Sequence, residues 1–245
     1  MKVLAVIPAR YSSLRFSGKA LAPIRGKPMI QWVWERVKEA SLGEVVIATD
    51  DRRIEEVAQG FGAQVVMTSP RCQSGTDRVA EVARGKGVPL IVNIQGDEPL
   101  IPPQAIRDVI SPFYADPQLQ MSTLASPIKT DGELRNPDVV KVIVDREGLA
   151  LYFSRLPIPY SRDGEGPQKF SHLRHIGIYG YRREFLLRFS ELEPSPLERA
   201  ERLEQLRALE NGYRIKVVTT DYATINVDHP QDLKRVEERL ATEGS

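Results

Sequence analysis

The 245 residues suffice for one large α/β domain or two small ones, and 41% apolar with 27% charged residues is an ordinary globular composition. A net charge of +1 gives no basic excess for nucleic acid, the single cysteine, Cys72, excludes an intrachain disulfide, and histidines at 172, 175 and 229 are not spaced as a zinc cluster. No run approaches the roughly 20 apolar residues of a membrane span, and Pro8 and Arg10 break the first apolar stretch too early for a secretion signal, so a cytoplasmic protein is expected.

Residues 3–7 read as a buried strand that runs into a loop holding Arg10, Ser12, Ser13, Arg15, Gly18 and Lys19. Small residues let backbone N–H groups approach an anion and the cations neutralise it, so this loop is a candidate phosphate site. It is neither a Walker A motif nor a G-x-G-x-x-G fingerprint. A helix is expected over 29–40, a strand over 45–48 and a helix over 51–59, with Asp50 placed to cap it. A strand over 64–67 and a helix over 76–83, opened by Ser74-Gly75-Thr76, come next. A strand over 90–94 and a helix over 103–110 complete the alternation. Such β-α repetition predicts a mostly parallel sheet with helices on both faces.

From about residue 121 the pattern changes to closely spaced strands, over 121–127, 139–145 and 149–154, the last two joined at Asp145-Arg-Glu-Gly148 as a hairpin. Residues 164–167 mark a loop, 175–181 a strand, and 196–209 one helix stopped at Asn211-Gly212. A strand over 215–219 and a helix over 230–240 finish the chain. With no long linker, a single domain over 1–245 is expected, in which about 121–210 forms a smaller β-rich extension.

The strand over 90–94 runs directly into Gln95-Gly96-Asp97-Glu98-Pro99. Ligands of open α/β sheets sit beyond the carboxyl ends of strands, and an acidic pair there suits Mg²⁺, which takes one or two protein carboxylates and completes its shell with phosphate and water. Asp228 follows the apolar stretch 223–227 in a similar way; it reads equally as a helix N-cap, and Asp97 reads also as a turn residue. Ser74, Gly75 and Thr76 fit a base or phosphate contact and also a plain cap. A lone His175 on a strand reads more often as structural than catalytic, and Glu201 with Gln205, four apart on one helical face, usually only as a solvated face.

Taken together, I-P-A-R-Y-S-S at 7–13, G-K-P-M-I at 26–30, Q-S-G-T-D-R at 73–78, V-N-I-Q-G-D-E-P at 92–99, N-P-D-V-V-K-V at 136–142, A-L-Y-F-S-R at 150–155, R-H-I-G-I-Y-G-Y at 174–181 and L-E-Q-L-R at 203–207 resemble the 3-deoxy-manno-octulosonate (Kdo) cytidylyltransferases. The resemblance covers nearly the whole chain. It implies a Rossmann-like mixed, mostly parallel sheet of the nucleotide-diphospho-sugar transferase type and a homodimer. It implies the reaction of CTP with Kdo to CMP-Kdo and pyrophosphate, with Mg²⁺, for lipopolysaccharide biosynthesis. By position it puts Arg10, Ser12, Ser13 and Lys19 on the triphosphate, with Ser74, Gly75 and Arg78 near the cytidine. Asp97 and Asp228 fall on the metal, and Gln95, Arg155, His175, Tyr179, Glu201, Glu204 and Gln205 around the sugar. Lys19, Asp97, Asp228 and Arg10 would carry the chemistry. Two stretches depart from the family: R-L-P-G-K-P-L is R-F-S-G-K-A-L at 15–21, and G-[VI]-D-T-P is N-V-D-H-P at 226–230. A cytidylyltransferase for another acidic sugar, a nucleotide-sensing module and a glycosyltransferase are the competing readings.

Overall fold

The computed structural model describes residues 1–12, 16–160, 162, 170–222 and 225–243. Ser13, Arg15 and the loop expected at 164–167 lie outside them. The chain divides into two compact units, one built from Met1–Arg107 and Thr224–Ser245, the other from Asp108–Ala223.

The first unit begins with β1 (Val3–Ala9), buried at every position. A tight hairpin, β2 (Pro23–Ile24) and β3 (Lys27–Pro28), turns through Arg25 and Gly26 at positive φ and leads into α1 (Met29–Glu39). Then come β4 (Gly43–Thr49), α2 (Arg52–Gly60), β5 (Gln64–Met67), α3 (Gly75–Arg84), β6 (Leu90–Asn93) and α4 (Pro103–Ile110), whose last three residues are counted with the second unit. The four long strands are parallel in the order β6-β1-β4-β5. Central parallel strands are covered on both faces, which is why β1, β4 and β6 are near-continuous runs of Val, Ile, Leu and Ala rather than alternating ones. Pairing of β1 with β6 ends at Val6–Asn93, so Pro8, which lacks an N–H, lies past the end of that ladder. The chain winds outward from β1 through β4 to β5, then returns to the other side of β1 as β6. This reversal opens a crevice at the carboxyl ends of β1 and β6.

A final helix over Asp232–Glu243 completes this unit. It packs through Val236 and Leu240 with Ile24, Met29, Leu100 and Val227, and Phe16, Trp32, Ile225 and Leu233 flank the cluster. Phe16 thus anchors the lower end of the first loop in apolar contacts.

The second unit holds α5 (Pro112–Ala115), β7 (Met121–Pro127), α6 (Asp131–Arg135), β8 (Lys141–Val144), β9 (Ala150–Ser154), β10 (Leu173–Arg182), α7 (Arg183–Phe189), α8 (Pro196–Glu201), α9 (Gln205–Glu210) and β11 (Ile215–Thr219). Here β7 pairs parallel with β11 and antiparallel with β10, β10 with β8, and β8 with β9, both antiparallel. The β8–β9 turn is built as expected. Gly148 sits at φ 74°, and Asp145 Oδ1 accepts from the N–H groups of Glu147 and Leu149, both at 2.8 Å.

Two local expectations are corrected. The helix expected over 196–209 is two helices, because Arg202 takes a left-handed conformation at φ 54° and ends α8. Arg207 then folds back on Glu198 with bonds of 2.8 and 2.6 Å. Glu201 and Gln205 therefore do not share a face through helical spacing. Asp51, not Asp50, caps α2, accepting from the Arg53 N–H at 2.9 Å.

Candidate active site

The crevice between β1 and β6 gathers the residues of the first unit. Gly18, at φ 71°, turns the first loop into a short 3-10 turn, Lys19–Leu21, and its N–H donates to the Tyr11 carbonyl at 2.8 Å. A Cβ at Gly18 would stand 3.2 Å from the Tyr11 ring, so the close approach requires glycine. Arg53 lies 3.3 Å over the other partner in this stack, the Tyr11 ring, and is itself held by Asp51 at 2.9 and 2.6 Å. The Arg53 contact holds the Asp51 carboxyl below the usual carboxylate range.

This turn delivers Lys19 to two carboxylates. Lys19 Nζ lies 2.6 Å from Asp97 Oδ2 and 3.8 Å from Asp228 Oδ1, on a side chain only 16% exposed. Three segments far apart in sequence thus meet at one ammonium. The Val227 N–H donates to the Asp97 carbonyl at 2.9 Å and ties the two acidic loops together. Asp232 accepts from the N–H groups of Asp228 and His229, at 3.0 and 2.8 Å, fixing the backbone from which the Asp228 carboxylate reaches Lys19. Among the described residues no group of three or more His, Cys, Asp or Glu side chains is arranged around a metal. Two carboxylates sharing one cation, at the mouth of a phosphate-type loop, fit a hard oxygen-seeking ion completed by substrate oxygens.

Ser74 caps α3 with a reciprocal box: its hydroxyl accepts from the Asp77 N–H at 3.1 Å, and Asp77 accepts from the Ser74 and Gln73 N–H groups at 3.0 and 3.1 Å. Gly75 packs on Pro8 and the Gln95 amide, where a Cβ would meet atoms at 3.3 and 3.4 Å. Gln95 donates to Asn93 at 3.0 Å and so belongs with Gly75 in this unit. Arg78 turns inward. It is 3% exposed, donates to Asp50 at 2.9 Å and bonds Thr68 through its other nitrogen. Arg10 and Ser12 are exposed.

The second unit collects its own set. Glu201 accepts from the Ser154 hydroxyl at 2.8 Å and the Arg155 N–H at 2.9 Å. The Arg155 guanidinium donates to the carbonyls of Glu201 at 2.7 Å and Pro137 at 3.0 Å. Beneath it lies Lys141, 0% exposed, whose ammonium is shared by the carbonyls of Arg155, Val139 and Asn136 at 2.5, 2.6 and 3.0 Å. Burial lowers its pKa, and the three carbonyls supply the solvation that water would have given. Lys141 stands inside the N-P-D-V-V-K-V segment, yet a lysine at the start of a short strand carries no signal that it is interior.

On β10, His175 Nε2 lies 2.8 Å from Thr123 Oγ1, and the ring meets Phe153 edge-on at 5.0 Å and Tyr179 at 5.4 Å. Burial pushes its pKa down to about 3, so the imidazole is neutral near pH 7. Tyr179 donates to Gln205 Oε1 at 3.2 Å, while the Gln205 Nε2, buried, has no hydrogen-bond partner among the described residues. Glu204 sits at the start of α9, 3.9 Å from Arg207. His175, Tyr179 and Gln205 therefore form one group, and Arg155 with Glu201 another on the same unit.

Among known proteins, the chain matches the cytidylyltransferase family model over residues 4–216. It is 53% identical over 253 residues to the 3-deoxy-manno-octulosonate cytidylyltransferase of Geotalea daltonii, covering 100% of both chains, and 52% identical over 250 residues to that of Geobacter metallireducens, covering 98% of each. The structure of CMP:2-keto-3-deoxy-manno-octonic acid synthetase complexed with CTP superposes with a TM-score of 0.93 at 42% identity, covering 99% of this chain and 100% of that one. A cytidylyltransferase from Leptospira borgpetersenii, at 17% identity and a TM-score of 0.67, shares the fold. The chain is a nucleotidyltransferase and belongs to the 3-deoxy-manno-octulosonate cytidylyltransferase family.

Proposed function

We propose that Lys19, Asp97 and Asp228, with Arg10 and Ser12, form the triphosphate end of the reaction CTP + Kdo = CMP-Kdo + pyrophosphate. The observation that carries this is the convergence of both carboxylates on Lys19, at 2.6 and 3.8 Å. Asp97 and Asp228 would hold Mg²⁺, which supplies charge neutralisation on the phosphate oxygens and lowers the pKa of a bound hydroxyl. The anomeric hydroxyl oxygen of the sugar forms a bond to the α-phosphorus, the bond from that phosphorus to the bridging oxygen breaks in line, and the hydroxyl proton passes to solvent water. Lys19 steadies charge as pyrophosphate leaves. Ser74 and Gly75 present the amino end of α3 to the nucleotide, and Arg78, fixed on Asp50, holds that helix in place rather than reaching out. Ser13 is assigned to the same loop by family position alone.

Arg155, His175, Tyr179, Glu201, Glu204 and Gln205 are the sugar ligands in this reading, and Gln95 is assigned to the sugar by family position alone. The buried donor of Gln205 and the neutral His175 suit hydroxyl recognition. Positioning rather than covalent chemistry supplies the rate. The exposed Leu151, Leu156, Tyr160 and Phe170 favour a homodimer joined through the extension over about 121–210, and light scattering of the purified chain would read it. The reaction belongs in the cytoplasm with the CTP it consumes. The deciding experiment is pyrophosphate release with CTP and Mg²⁺ across a panel of acidic sugars. Kdo should be the best acceptor; no release with Kdo sinks the proposal.

A further inference from the structure

From the hydrogen bonds around Thr123 we infer that this residue is a positioning residue, locking His175 as the Nε2–H tautomer so that a bare Nδ1 faces the sugar and accepts from one of its hydroxyls. The inference rests on the reading of His175 as a sugar ligand. Strand β10 is irregular here: Ile176 stands opposite Leu124 and Tyr179 opposite Thr123, which leaves two residues with no counterpart on β7. The irregularity brings two carbonyls, of Ile178 at 2.8 Å and Ile176 at 3.1 Å, onto Thr123 Oγ1, and Thr123 itself is fully buried. His175 Nε2 is the third neighbour, at 2.8 Å.

A hydroxyl has one proton and two lone pairs. Carbonyl oxygens cannot donate, so both carbonyl contacts depend on the Thr123 proton. If that proton went to His175 instead, two carbonyls would face the lone pairs of a fully buried threonine hydroxyl, at a cost in hydrogen bonding. The proton therefore stays on the carbonyl side, Oγ1 accepts from Nε2–H, and Nδ1 keeps its lone pair. The ring is neutral, and among the described residues no hydrogen bond to Nδ1 is found; the His175 backbone N–H donates to the Val140 carbonyl at 2.8 Å. A bare Nδ1 accepts from a hydroxyl and repels a carboxylate. His175 thus reads a sugar hydroxyl and excludes the acid group, which is left to cationic partners.

The chain carries three histidines, so ¹⁵N-histidine labelling gives three imidazole patterns, and His175→Phe identifies the one in question. The expected result is a pyrrole-like Nε2 and a pyridine-like Nδ1 in the free enzyme. The opposite pattern overturns the inference without any variant of Thr123. Thr123→Val should abolish the single tautomer and raise the KM for Kdo about tenfold, with the KM for CTP unchanged, while Thr123→Ser keeps wild-type values. If His175→Phe raises the sugar KM and Thr123→Val does not, the inference fails and the sugar site stands. If His175→Phe leaves the sugar KM unchanged, the site assignment falls and takes the inference with it.

Discussion

The buried imidazole of His175 should make the enzyme sensitive to mild acid. In an unfolded chain a histidine titrates near 6.5, whereas in the folded protein burial pushes His175 down to about 3. Between these values the unfolded chain binds the proton and the folded one does not, so stability falls as pH drops below about 6.5 and levels out only near the folded value. At pH 5 the proton favours unfolding by about 2 kcal/mol, from 1.4 kcal/mol per pH unit over the interval. At pH 7 the same group contributes almost nothing. The measurement is urea unfolding of the wild type and His175→Gln at pH 7 and pH 5, followed by far-ultraviolet circular dichroism. His172 and His229 are present in both proteins and cancel. Wild type should lose about 2 kcal/mol more than the variant on acidification. Equal losses would mean that His175 takes up its proton while folded, and the account of a neutral ring packed on Phe153 and Thr123 would be wrong.

Three further outcomes follow from particular contacts. Lys19→Met leaves Asp97 and Asp228 without their shared ammonium and should lower turnover on the order of 10²–10³-fold in a pyrophosphate-release assay, with the melting temperature little changed. Arg78→Met strands Asp50 and Thr68 inside the first unit and should cost about 3–5 kcal/mol, read by chemical denaturation. Gly180→Ala would place a Cβ 2.6 Å from Ser122 Oγ, 2.8 Å from Phe113 Cε2 and 3.1 Å from the Val109 carbonyl; overpacking of this kind should cost about 1–3 kcal/mol, visible as a lowered thermal midpoint.

The parallel strands of the first unit were legible because burial on both faces writes itself as continuous apolar runs, and the Ser74 cap because Ser and Asp three apart form a reciprocal box. The turn at Asp145–Gly148 was legible for the same local reason. What local sequence does not carry is a left-handed Arg202, a conformation disfavoured for a non-glycine residue and so not read from its type. Nor does it show which of two adjacent aspartates caps α2: Asp50 is drawn off by Arg78, a partner 28 residues away. Thr123 reads as an ordinary strand threonine until the irregularity in β10 brings two carbonyls to it. In the site, residue types and order pointed to Lys19, Asp97 and Asp228, but not to their meeting, which depends on the return of the chain to its first unit.

That return has a consequence for biosynthesis. Asp97 and Asp228 are separated by the whole of the second unit, and the Val227–Asp97 bond that aligns them closes a loop of that length. Contacts of such separation form late, after the entropy of closure has been met by other packing. A nascent chain that has folded β1, β4, β5 and β6 displays Lys19 and Asp97 but not Asp228, and its crevice has half of its acidic pair. On the site assignment proposed above, competence for phosphate chemistry therefore arrives as a final step of maturation, and a partly made enzyme leaves the nucleotide pool untouched.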